Sequence, residues 1–76
     1  MKLYKLQYIY RFNHNGKEFI EIKKKILNDT LSNIKKKYEI YCLTDSENNV
    51  IINNERKYHG KNNIHIWKSR RDKTNE

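Results

Sequence analysis

Lysine and arginine supply the most abundant chemistry in this chain, with seventeen cations against nine carboxylates and a net charge of +8 over 76 residues. The excess is uneven: residues 1–16 carry +3, residues 17–37 +4, residues 38–55 −4 and residues 56–76 +5. A short chain with basic ends and an acidic middle turns a preferred side towards an anion, whether nucleic acid, anionic lipid or an acidic protein. Several cations alternate with large side chains. Lys5, Gln7, Ile9, Arg11, Phe19, Glu21, Lys23 and Lys25 are expected on one face of an N-terminal hairpin, with cations placed for phosphates and a ring placed under a base. Lys35, Lys36 and Lys37 form a second basic group. As consecutive helical residues they fan over about 200° of arc, so they cannot all address one surface. Lys68, Arg70, Arg71 and Lys73 follow the only tryptophan, Trp67, and a flexible basic tail there would add affinity through counterion release.

Other chemistries have weaker support. His59, His65 and Cys42 are the only soft-ligand set, and a zinc site wants close pairs such as CxxC or HxxxH. Neither metal nor cofactor is expected. Tyr58, His59, Lys61 and Arg70 are the residue types that a small carboxylate-free toxin ribonuclease would use for proton transfer and for stabilising phosphorane charge. No GxSxG, P-loop, HExxH or paired-carboxylate motif accompanies them. A non-enzymatic chain is the expectation.

The elements that must position these groups are legible in part. Tyr4, Leu6, Tyr8, Tyr10 and Phe12 occupy alternate positions, a period of two that specifies a half-buried strand. After Asn13-His14-Asn15-Gly16, Ile20, Ile22 and Ile26 repeat the pattern, giving a hairpin. A three-residue loop, His14-Asn15-Gly16 with a bulged Gly16, would set Tyr10 against Ile20, Tyr8 against Ile22 and Tyr4 against Ile26, collecting the large apolar groups on one face. A two-residue Asn15-Gly16 turn would pair Tyr10 with Glu21 and Tyr8 with Lys23, and is the less expected register.

Leu27, Leu31, Ile34 and Tyr38 then make one stripe of a 3.6-residue period, with Asp29 or Thr30 as N-cap. Lys35 to Lys37 sit near that helix's C-terminal end, where the macrodipole favours cations. Glu39–Thr44 and Val50–Asn53 flank a polar turn at residues 45–49, a second hairpin. Residues 54–63 read as a loop, residues 64–68 as a short final strand and residues 69–76 as a disordered basic tail. The expected fold is α+β: a small antiparallel sheet in the order ββαβββ, with the helix packed on one face, forming one domain over residues 1–68. A chain this short buries only about 60% of its unfolded surface, so oligomerisation or binding would help it. An exposed Ile9/Phe19 pair beside an edge strand is compatible with a homodimer.

Composition adds context. Ile, Lys, Asn and Tyr make up 40 of the 76 residues and Ala and Pro are absent, the usage of an AT-rich genome and common in phage and mobile-element genes. One cysteine suits a reducing compartment. The N-terminus leads into alternating residues rather than a secretory core, so a cytoplasmic location and no membrane partner are expected. Together these features predict a basic binding module for RNA or single-stranded DNA. The competing expectation is a small phage-type inhibitor of a host or defence macromolecule, of the anti-CRISPR class. At +8 such an inhibitor could not imitate DNA, and would have to grip an acidic protein surface or a ribonucleoprotein.

Overall fold

The computed structural model describes residues 2–60 and 64–68. Strands β1 (Lys2–His14) and β2 (Lys17–Asp29) form a long antiparallel hairpin. Helix α1 (Leu31–Lys37) follows, then β3 (Ile40–Asp45), β4 (Val50–Asn53) and a short helix α2 (Glu55–His59). The sheet order is β2-β1-β3-β4, with every neighbouring pair antiparallel. The α+β class and the order of elements agree with the sequence pattern, with two differences. The expected loop after β4 contains α2, and the expected final strand is reduced to a single parallel bridge between Ile20 and Ile66. The basic tail at 69–76 lies outside the described residues.

The register of the first hairpin corrects the sequence expectation. Asn15 and Gly16 both have positive φ, 54° and 78°, which makes the turn a two-residue type I′ whose twist matches that of the strands it joins. Phe12 therefore opposes Phe19, Arg11 opposes Ile20, Tyr10 opposes Glu21 and Tyr8 opposes Lys23. The large apolar groups are divided between the two faces of the sheet. That division is stable because each face is covered at a different place.

On the first face, which carries the even residues of β1, α1 packs over Tyr4, Leu6, Ile40 and Leu43 through the fully buried Ile34. Leu27, Leu31, Tyr38 and Ile52 border this core. Leu27 belongs to β2 rather than to the expected helix, which starts only after the Thr30 N-cap. The Thr30 hydroxyl accepts from the Asn33 amide at 3.2 Å, and Asp29 accepts from the Thr30 amide at 2.8 Å. Seven residues are too few for an isolated helix, so burial of Ile34, worth about 1.5–3 kcal/mol, holds α1 in place.

On the opposite face, Ile9, Ile20, Tyr41 and Tyr58 form a second core, bordered by Ile22, Cys42, Ile64 and Ile66. A bulge makes this geometry possible: Gln7 pairs with Cys42 and Tyr8 with Ile40, leaving Tyr41 as the extra residue. Ile40 and Leu43, three apart, then share the α1 face, while Tyr41 serves the other core. Ile9, expected to be exposed beside Phe19, is buried in this second core. The sheet is thus covered on both faces in a staggered manner. Among the described residues, the helices leave the turn end of the first hairpin uncovered on the α1 face.

Candidate binding surface

The open turn end gathers aromatic side chains. In the two-residue register, Tyr10, Phe12 and His14 share the α1 face with Phe19. Tyr10 and Phe12 lie 5.7 Å apart between ring centroids at 26°, and Phe12 and Phe19 5.9 Å apart at 23°, so three rings form a nearly parallel row. Trp67 closes one side. Its backbone donates to the Ile20 carbonyl at 2.7 Å, while the Ile20 amide donates to the His65 carbonyl at 2.9 Å. The parallel bridge therefore swings the indole edge-on against Phe12, Phe19 and His14, at 5.4, 5.1 and 4.9 Å. Tyr10 remains 46% exposed.

Cations border the row. Lys23 Nζ sits 4.4 Å from the Tyr10 ring centroid, a cation–π contact that orients the side chain. Lys17, opposite His14, is exposed at the turn. Lys68 is not part of this border: it lines a depression of about 610 Å³ with Glu21, Ile22, Lys24, His59, Ile66 and Trp67, mostly on the opposite face of the sheet. Lys25 lies further along the same strand and is tied to α1: its ammonium donates to the Tyr38 hydroxyl at 2.9 Å, a bond that raises the lysine's pKa.

The predicted basic face is therefore divided. Phe19, Lys23 and Trp67 lie on or beside the aromatic end, Lys25 lies further along the same face against Tyr38, and Lys68 lies beside Ile22, Lys24 and Ile66. Lys5 and Arg11 point from the opposite face, because pairing Arg11 with Ile20 puts odd residues of β1 beside even residues of β2. Lys5 donates to Asn48 Oδ1 at 2.9 Å. Lys35 and Lys36 are exposed in the last turn of α1, and Lys35 borders a separate hollow with Tyr38, Glu39 and Tyr58. Arg70, Arg71 and Lys73 lie outside the described residues.

Arg11 has a different role from that of a free cation. Its Nε donates to Glu39 Oε1 at 2.9 Å and its Nη2 to Oε2 at 2.6 Å, with Glu18 a further 3.7 Å contact. The Tyr58 hydroxyl donates to the same Glu39 Oε2 at 2.9 Å. The guanidinium holds the Glu39 carboxyl below its ordinary pKa. Burial, reinforced by the bond to Glu39, pushes the Tyr58 phenol up to about 12. Beside this network, the Tyr41 hydroxyl and His59 Nε2 are hydrogen-bonded at 2.6 Å, and burial raises the Tyr41 pKa. These groups hold β1, β3 and α2 together.

The alternation places Tyr10 and Phe12 on the half-buried, apolar face of the hairpin, and no local pattern connects Arg11 with Glu39. The Asn15-Gly16 dipeptide is the signal that could have found the aromatic row, since its turn type fixes which rings share a face. Among the described residues, no group of three or more His, Cys, Asp or Glu converges as metal ligands. No described helix is long and apolar enough to cross a membrane. Compared with known proteins, the chain matches no family model, and searches of curated proteins and of solved structures returned no significant match.

Proposed function

We propose that this chain is a non-enzymatic binding module that takes single-stranded nucleic acid, RNA or DNA, on the aromatic turn end of its sheet. The observation that carries the reading is the open row Tyr10, Phe12 and Phe19, bordered by Trp67 and by Lys17 and Lys23. Bases stack on such rings without regard to sequence, each contributing about 1–3 kcal/mol, while lysines follow the phosphates. A duplex buries its base faces and would leave the rings without partners, so single strands suit the row better. Tyr41, Tyr58 and His59 are held in internal hydrogen bonds at the other face of the sheet. The proposed setting is the cytoplasm.

Fluorescence anisotropy with a labelled single-stranded oligonucleotide, repeated over a range of salt, tests the reading. About two phosphate contacts predict a log–log salt slope near −1.4. Tighter binding to single strands than to duplex is expected. Equal affinity for both would remove base stacking on the rings as the mode of binding, and no binding at low salt would remove nucleic acid as the ligand.

A further inference from the structure

Strand β2 is an edge of the sheet, and its outer side is used at only one position among the described residues. Hydrogen-bonded and free pairs alternate along an antiparallel hairpin, so the backbone amide and carbonyl of every second residue point away from the partner strand. Ile20 shows which set that is, since its amide and carbonyl bond residues 65 and 67 rather than β1. The same orientation follows for Ile22, Lys24, Ile26 and Asn28. The chain already docks one extended segment in parallel on this edge, and the ladder continues past it for most of a strand.

The side chains along this stretch are specific in character. Ile22, Lys24 and Ile26 lie on the α2 face, where Ile26 is 66% exposed beside the 50% exposed Leu3. Lys23 and Lys25 lie on the α1 face. Lys5 and Lys24 border a hollow of about 350 Å³ against Ile26. Three consecutive lysines on an edge oppose pairing with a second basic strand, a known protection against aggregation. A second copy of this chain would set lysine against lysine. Those same charges favour an acidic strand.

We propose that the β2 edge between Ile22 and Asn28 accepts an extended acidic peptide segment as an additional strand, with apolar residues beside Ile22 and Ile26 and carboxylates beside Lys23 and Lys25. Main-chain hydrogen bonds supply affinity and the alternate side chains supply selectivity, as in other cases of strand addition. The edge adjoins the aromatic row and shares Lys23 with it, but its main-chain ladder lies outside the row. A nucleic acid strand lacks the alternating donors and acceptors that would complete the ladder.

The test uses the full chain and a nine-residue, end-capped peptide of alternating valine and glutamate, followed by amide hydrogen exchange in nuclear magnetic resonance. The expected result is at least tenfold slower exchange at Ile22, Lys24 and Ile26, with no such effect from a valine–lysine peptide of the same length. Lys24→Pro removes one outward amide at an edge position that tolerates proline, and should weaken peptide binding at least tenfold while leaving oligonucleotide binding in place. If that variant does not fold, Lys23→Glu with Lys25→Glu should reverse the preference towards the valine–lysine peptide. Equal protection by both peptides in the unaltered chain overturns the proposal, as does unchanged peptide affinity in folded Lys24→Pro. Protection that grows with protein concentration alone would identify a second copy as the occupant, and protection by oligonucleotide would identify nucleic acid. Either result also overturns the proposal.

Discussion

At the turn end of the first hairpin, the two faces of one pair of strands have opposite characters. On one face, Arg11, Glu39 and Tyr58 satisfy each other within 3 Å and sit against the second core. On the other, Tyr10, Phe12 and Phe19 present a row of rings with Lys23 leaning over the first. Tyr10, Arg11 and Phe12 are consecutive residues, yet neighbours along the strand serve opposite faces. The lesson concerns charge: Arg11 belongs to a structural ion pair and Lys23 borders an open surface, a difference that net charge does not reveal. Stability should reside in the Arg11 face and binding in the aromatic face.

The comparison can be broken most forcefully at Tyr58, which is 2% exposed. Tyr58→Ala removes a large side chain from the second core and should cost roughly 3–5 kcal/mol of stability, read by urea unfolding. A loss below 1 kcal/mol would mean that α2 contributes little cover. The reverse signature is expected from Tyr10→Ala and Phe12→Ala. Each should weaken oligonucleotide binding by about 1–3 kcal/mol, as anisotropy would measure, while lowering stability less than Tyr58→Ala does.

Protonation sharpens the contrast on a smaller scale. The folded pKa of Glu39 is depressed, so its contribution is present above the ordinary carboxylate range and is lost as pH falls through the lower, folded value. Glu39→Gln should lower neutral stability by about 1 kcal/mol and flatten the acid limb of the stability curve. Tyr58 behaves oppositely. Its contribution is complete below pH 10 and disappears as pH rises towards about 12, a decline that Tyr58→Phe should abolish. The smallest effect belongs to Lys5, whose exposed bond to Asn48 is worth little: Lys5→Gln should leave stability within about 0.5 kcal/mol and affinity unchanged.

How much of this was legible in the sequence depends on the range of the forces involved. Strand periodicity in Tyr4 to Phe12 and the polar link at Asp45–Asn49 are local signals, and both hairpins form where expected. Asp45 fixes the second turn by accepting from the amides of Glu47 and Asn49. Register and facing were less accessible, because they depend on whether one face or both are covered. The helix at Glu55–His59 has no strong propensity signal and exists through Tyr58, whose side chain fills a site made by Ile9, Ile20 and Tyr41. The bulge at Tyr41 likewise answers a demand from the second core. Of the candidate site, alternation along β2 groups Phe19 with Lys23, but the expected register sets them beside Lys5 and Arg11, which the two-residue turn puts on the other face. Tyr10 and Phe12 share the apolar face with Tyr4 and Leu6, and alternation does not show which part of that face is open.

Trp67 offers the most direct test of the central claim, being the only tryptophan in the chain and lying against Phe12 and Phe19. Titrating the full chain with a short single-stranded oligonucleotide at low salt should produce saturable quenching of its fluorescence. Salt should reverse that signal, and the paired substitution Tyr10→Ala and Phe12→Ala should weaken the interaction at least tenfold. Binding that leaves Trp67 unperturbed and is indifferent to those two rings would contradict the assignment of the aromatic end as the binding surface.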